Sequence, residues 1–112
     1  MSNQQKIPII TCFDVEPDPR LIQREKKEPW LGYEQIQPIL EELRPRLAEA
    51  TQSPVHYSWY FRLDQQIELT YGAAGWPLKT YEKLVRKSEA EGDEIGIHPH
   101  TYKWDEIGRA HV

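Results

Sequence analysis

The chain has little cysteine, no excess of positive charge and no long apolar run. Its single cysteine, Cys12, excludes an intramolecular disulfide framework and favours a reducing compartment. A net charge of −4 at pH 7 argues against a surface that binds nucleic acid. No stretch approaches the ~18 apolar residues of a membrane span, and the start MSNQQKIPII lacks the features of a signal peptide. We therefore expect a cytoplasmic protein that binds neither nucleic acid nor membrane.

Short apolar stretches alternate with amphipathic ones along the 112 residues, a length that suits one small domain over 1–112. Strands are predicted near 7–16, 55–62 and 94–99, where β-branched and aromatic residues are concentrated. Helices are predicted near 34–51 and 77–91, where apolar residues recur at helical spacing. This order is typical of an α/β fold, in which parallel strands are joined by right-handed helical crossovers.

Three prolines and one glycine refine the predicted helices. Pro38 suits an early turn of the first helix, whereas Pro45 should kink it, because an interior proline costs roughly 3 kcal/mol. Pro77 can open the second helix. Gly92 is well placed to follow its last residue.

Acidic and imidazole side chains follow two of the predicted strands. Asp14 and Glu16 end the first strand, and His98 and His100 follow the third. Residues two apart share a face of an extended strand, and ligands of parallel sheets bind at the carboxyl ends of the strands. If the first and third strands are neighbours, the four side chains converge. Two histidines and one carboxylate form an open set for zinc or another divalent transition metal, and the second carboxylate could act as general base.

Two further pairs of residues have both a structural and a functional interpretation. Arg62 and Asp64 end the second strand, where they can contact a substrate or form an ion pair with each other. Tyr71 and Trp76 flank glycines in a predicted loop, where they can stack on a sugar or pack over the end of the fold.

The motifs TCFDVE and GDEIGIHPH resemble the first two motifs of the polysaccharide deacetylase family of carbohydrate esterases. Family members have an irregular (β/α) barrel and remove acetyl groups with a bound metal. The resemblance implies that Asp14 is the general base. It also implies that Glu16 and His98 bind a divalent metal, with zinc as the first choice. If a second histidine ligand exists, His100 must take its place.

The chain departs from the family pattern in two places. Val15 separates the two acids, which are adjacent in the family, and Tyr102 occupies the usual position of the second histidine. The resemblance covers most of the chain but only the first half of a family catalytic domain. It therefore implies a truncated, partial barrel acting on a carbohydrate. Exposed sheet edges of such a barrel would favour homo-oligomers.

Two rival interpretations remain beside the deacetylase. One is a non-catalytic chain that keeps the fold's first half and binds sugar or a partner. The other takes Asp14 and Glu16 as the acid and base of a glycosidase. Residues two apart on one strand cannot flank a glycosidic bond from opposite sides, which disfavours the glycosidase.

Overall fold

The computed structural model describes residues 7–19, 27–28 and 30–100, together with the backbone of 103–104 and 110–111. In chain order the elements are β1 (Thr11–Val15), α1 (Leu31–Thr51), β2 (Tyr57–Phe61), α2 (Gln65–Tyr71), α3 (Trp76–Thr80), α4 (Glu82–Ala90), β3 (Glu94–Ile97), β4 (Lys103–Trp104) and β5 (Ala110–His111). The last two strands form a short antiparallel pair of their own.

The main sheet is open and parallel, with the strand order β1-β2-β3. Phe13 of β1 pairs with Trp59 of β2, which in turn pairs with Ile95 of β3. The predicted α/β class and parallel strands are therefore confirmed. The condition that the first and third strands are neighbours is wrong, because β2 lies between them. Consecutive strands usually pair, so the aromatic β2 has a partner on both sides.

Helices cover one side of the sheet, which we call the core face. The side chains of Tyr57, Trp59 and Phe61 alternate along β2 and are buried on this side. Tyr33 of α1 packs edge-on against them, with ring centroids 5.6 Å from Trp59 and 5.3 Å from Phe61. Val85 of α4 belongs to the same buried cluster. Both long crossover helices therefore bury apolar surface against the same side of the sheet.

The opposite side, which we call the open face, carries side chains that the described helices leave at least partly accessible. These are Cys12, Asp14, Ser58, Tyr60 and Glu94, with Gly96 beside them. Because side chains alternate along a strand, the residue that follows each strand returns to this face. The carboxyl end of the open face is therefore where the sequence motifs come together.

Helix α1 begins at Leu31, earlier than predicted, and continues through Pro38 and Pro45 to Thr51. Each proline removes one backbone hydrogen bond from the helix, a loss that burial of α1 against the sheet helps to offset. The carboxylate of Asp18 accepts hydrogen bonds from the N–H groups of Leu31 (2.9 Å) and Gly32 (2.8 Å). Asp18 thus satisfies two of the free donors at the start of α1.

The helix predicted at 77–91 is two helices, α3 and α4, which meet at Tyr81. Pro77 lies in the first turn of α3, and Gly92 follows α4 with a φ of 89°, as predicted for a residue that ends a helix. Helix α2 was not predicted. No helix within the described residues combines the length and the apolarity that crossing a membrane requires.

Gly92→Ala should lower the free energy of unfolding by about 1–2 kcal/mol, because a side chain at positive φ is strained. The new Cβ would also lie 2.6 Å from ring atoms of His56. Gly75→Ala is the control, since no atom lies within 4 Å of a Cβ at that position and its φ is −88°. Urea denaturation compares the two, and equal losses would contradict the argument.

A buried carboxylate ties α1 to the amino ends of the strands. Both guanidinium Nη atoms of Arg44 donate to Asp93, at 2.8 and 2.7 Å. The same carboxylate accepts hydrogen bonds from the backbone N–H of Tyr57 (2.9 Å) and the indole N–H of Trp59 (3.0 Å). Arg44 also donates to the Val55 carbonyl at 2.6 Å and lies 4.4 Å over the Tyr57 ring. One ion pair therefore fixes the helix against the sheet at the end opposite the open-face motifs.

Candidate metal centre

Glu16, Arg62 and His98 form one row at the carboxyl end of the open face, because each is the first residue beyond its strand. The backbone N–H of Arg62 donates to the Val15 carbonyl at 2.9 Å. The N–H of His98 donates to the Phe61 carbonyl at 2.8 Å. The sheet's hydrogen bonding thus continues one residue past the strand ends and fixes the backbone of the row.

Three potential metal ligands meet at this row. One ligand atom from each of Glu16, His98 and His100 lies within 4.8 Å of the others. The Nε2 atoms of the two histidines are 3.0 Å apart. Ligands about 2.0–2.1 Å from a tetrahedral zinc ion are about 3.4 Å from one another, so the histidine pair is near the required spacing. Two imidazoles and a carboxylate also match the donor chemistry of zinc.

Asp14 lies beside this cluster on the open face. Its Oδ2 is 3.9 Å from Nε2 of His98, and its side chain is 55% exposed. It is not a member of the three-residue cluster. A carboxylate in this position is open to water and close to His98, which is where a general base could act.

Arg62 and Asp64, the predicted substrate-binding pair, form an ion pair with each other. Nε of Arg62 lies 2.8 Å from Oδ2 of Asp64, and each side chain is only 4% exposed. Arg62 also hydrogen-bonds to the Gln66 side chain, and its Nη1 lies 3.8 Å from the Glu16 carboxylate. The structure therefore contains the ion pair that the sequence allowed. Both side chains have little surface left for contact with a substrate.

The pKa values of His100 and Asp64 are both lowered, although burial acts on the two groups in opposite directions. Burial lowers the pKa of His100, and the positive charges of Arg62 and His98 lower it further, against Glu16 and Asp64. A lowered pKa favours the neutral imidazole, which is the form that binds metal. Burial raises the pKa of Asp64, but hydrogen bonds, chiefly from Arg62, outweigh it and leave the pKa below its ordinary value. Asp64 is thus an ionised acceptor.

Tyr71 and Trp76 pack together in an aromatic cluster with Trp30. The ring centroids of Tyr71 and Trp76 are 4.5 Å apart, and Trp30 lies 5.9 and 5.8 Å from them. Tyr71 is buried, and its hydroxyl donates to the Glu28 carbonyl. Packing among the described residues buries Tyr71, and contact between its ring and a sugar stays a prediction. Contact between a sugar and the partly buried Trp76 stays a prediction.

Comparison with protein-family models, with curated proteins and with solved structures finds no match for this chain.

Tyr102, the position that the family spacing assigns to a second histidine, lies outside the described residues. One contact beside the three-residue cluster was not predicted from the sequence. Asp64 accepts a hydrogen bond from the backbone of His100 at 2.9 Å. The available signal was an aspartate before QQIELTYG, which is typical of a helix N-cap.

Proposed function

We propose that the chain is a metal-dependent hydrolase that removes acetyl groups from a carbohydrate. In this proposal Glu16, His98 and His100 bind a divalent cation, with zinc as the first choice, and Asp14 is the general base. The observation that carries it is the convergence of three ligand atoms within 4.8 Å, beside an exposed carboxylate 3.9 Å from one of them. Two imidazoles and two carboxylates in one place supply both the metal ligands and the base.

Each residue has a defined chemical task in this reaction. A bound divalent cation would supply Lewis acidity, which lowers the pKa of water and polarises the acetyl carbonyl. Asp14 accepts the proton of the attacking water on its carboxylate, to which solvent has free access. The hydroxyl adds to the carbonyl carbon, the bond from that carbon to the sugar oxygen or nitrogen breaks, and Asp14 returns its proton to the leaving oxygen or nitrogen. The products are the deacetylated sugar and acetic acid, which ionises to acetate. In this proposal His98 and His100 serve as ligands throughout the reaction.

The proposal includes a fold in which the three strands are part of a (β/α) barrel with the open face inside. Support comes from the placement of α1 and α4 on the core face, as in the outer ring of a barrel. The candidate site lies at the carboxyl ends of the strands, where barrel enzymes place theirs. Three strands do not close a barrel, so the outer edges of β1 and β3 would be available for association between copies. Ile97, at the end of β3, is 62% exposed and would favour such contacts.

A second candidate function is a non-catalytic chain that binds sugar or a partner. Arg62 favours it, because its Nη1 lies 3.8 Å from the Glu16 carboxylate and balances that charge without a cation. In this case the histidines and carboxylates are a polar cluster at the strand ends. Metal binding distinguishes the two candidates.

His98→Ala and His100→Ala should each weaken zinc binding at least about tenfold, equivalent to roughly 1.4 kcal/mol, because each removes one ligand. Isothermal titration of the metal-free chain with zinc measures the effect. His56→Ala is the matched control, since His56 is an exposed histidine at the amino end of β2. A loss in only one of the two variants would exclude the proposed ligand set. A wild-type chain that binds no zinc would favour the non-catalytic candidate.

A further inference from the structure

We infer that Asp64 is a positioning residue that holds His100 in the candidate metal centre. The hydrogen bond that anchors the backbone of His100 does not depend on whether a metal binds. Its consequence for metal affinity rests on the proposed function. The sequence predicts that Asp64 contacts a substrate or pairs with Arg62, and it does not predict this anchor.

The carboxylate of Asp64 joins three parts of the fold, and its two oxygens have separate tasks. Oδ1 accepts a hydrogen bond from the N–H of Ile67 at 3.1 Å and so caps the first turn of α2. Oδ2 accepts one from Nε of Arg62 at 2.8 Å and one from the backbone N–H of His100 at 2.9 Å. One oxygen therefore serves the helix, and the other fixes the segment that follows β3.

The proline between the two histidines explains why such an anchor is needed. The N–H of His98 is bonded to the Phe61 carbonyl at 2.8 Å, as a continuation of the sheet. Pro99 has no N–H and cannot extend that pattern. The next backbone donor is the N–H of His100, and its acceptor is Asp64. Both histidines are thus attached by their backbones to the end of β2, which keeps their Nε2 atoms 3.0 Å apart.

Burial makes this anchor specific to Asp64. Its side chain is 4% exposed, as is that of its partner Arg62. A hydrogen bond to an ionised carboxylate is one of the stronger kinds of hydrogen bond in proteins. Residues that orient metal ligands typically change metal affinity by about 10–100-fold when they are replaced. We expect the same of Asp64, although it is not itself a ligand.

Asp64→Asn separates the two tasks. Its amide oxygen can keep the Oδ1 position and cap α2, whereas the NH₂ group in the Oδ2 position cannot accept the N–H of His100. Asp18→Asn is the matched control, because Asp18 also accepts two backbone N–H groups at a helix start. A stability loss common to both variants would report on the loss of charge at a helix start, and Asp64→Asn also loses the ion pair with Arg62.

Two measurements on the whole chain test the inference. Hydrogen exchange by NMR in the metal-free protein reports protection of the His100 amide. Calorimetric titration with zinc reports metal affinity. Asp64→Asn should lower the protection about tenfold and the zinc affinity about 10–100-fold. Asp18→Asn should change neither. If Asp64→Asn does not fold, Asp64→Ser keeps a capping oxygen without the second acceptor and should give the same two losses.

The outcomes separate this inference from the proposed function. Unchanged protection of the His100 amide in Asp64→Asn would overturn the anchor. Lost protection with unchanged zinc affinity would overturn the positioning role. If the wild-type chain binds no zinc, the proposed function fails, and the exchange measurement still decides whether Asp64 holds His100.

Discussion

Asp93→Ala should lower the free energy of unfolding by about 3–5 kcal/mol, the usual cost of removing one partner of a buried ion pair. The Asp93 side chain is fully buried and accepts four hydrogen bonds, two of them from Arg44. Its removal leaves the N–H groups of Tyr57 and Trp59 without that acceptor. Arg44 keeps an ion pair with Glu91 at 2.9 Å, which limits the loss on the helix side. The two strand donors therefore account for much of the expected effect.

Urea denaturation near neutral pH measures this difference, and Glu82→Ala is the control. Glu82 pairs with Arg86 on the exposed surface of α4, where an ion pair contributes about 0–1 kcal/mol. A loss of similar size in both variants would show that the Asp93 network contributes little beyond an ordinary surface pair.

Acid should reduce the effect of Asp93→Ala. Burial raises the pKa of Asp93, but hydrogen bonds from Arg44, Trp59 and Tyr57 outweigh it and leave the pKa below its ordinary value of 3.8. The unfolded chain then takes up the proton first, so the stability from Asp93 is present above pH 3.8 and is lost as pH falls through the lower folded pKa. The gap between wild type and variant should narrow over that range. A constant gap would contradict the ionised network.

The three strands could be predicted because each is a short apolar stretch that ends at polar or turn-forming residues. Their bounds could not be predicted as well, since Ile9 and Ile10 are as apolar as β1 but lie before its first paired residue. The order of the strands in the sheet could not be predicted from the apolar pattern either. Apolar periodicity shows which face of a strand is buried, but it carries no information on the neighbouring strand.

The helices could also be predicted only in part. Spacing of apolar residues located α1 and α4, whose faces pack on the sheet. It did not locate α2, which has only seven residues and depends on capping by Asp64 and on Gly72, with a φ of 96°, at its end. Nor did it show that the second predicted helix divides at Tyr81.

The members of the candidate centre could be predicted because alternation along a strand relates residues two apart. The contacts that hold them could not, because they join distant positions. Asp64 and His100 are 36 residues apart. Asp93 and Tyr57, in the network at the opposite end of the sheet, are also 36 residues apart. A side-chain hydrogen bond between such positions leaves no period in the sequence. The sheet brings Asp14 and His98 to 3.9 Å although the central strand separates β1 from β3, because both side chains reach across the open face.

Asp14→Asn should lower kcat for acetate release from acetylated sugars by about 10²–10⁴-fold, the usual contribution of a general base. Asparagine keeps the shape of the side chain but cannot take the proton of the attacking water. Zinc affinity should stay close to that of wild type, because Asp14 is outside the three-residue ligand cluster. Acetate release and zinc titration, measured on the same preparations, separate a lost base from a lost metal.

Glu94→Gln is the matched control for Asp14→Asn. Glu94 is an exposed acid on the same open face, but it lies at the start of β3, paired with Ser58, at the end of the sheet away from the histidines. Its replacement should leave acetate release unchanged, because no ligand or base is affected. Full activity in Asp14→Asn would exclude Asp14 as the base. A large fall in its zinc affinity would instead make Asp14 a ligand and exchange its role with Glu16, whose carboxylate Arg62 already neutralises in part.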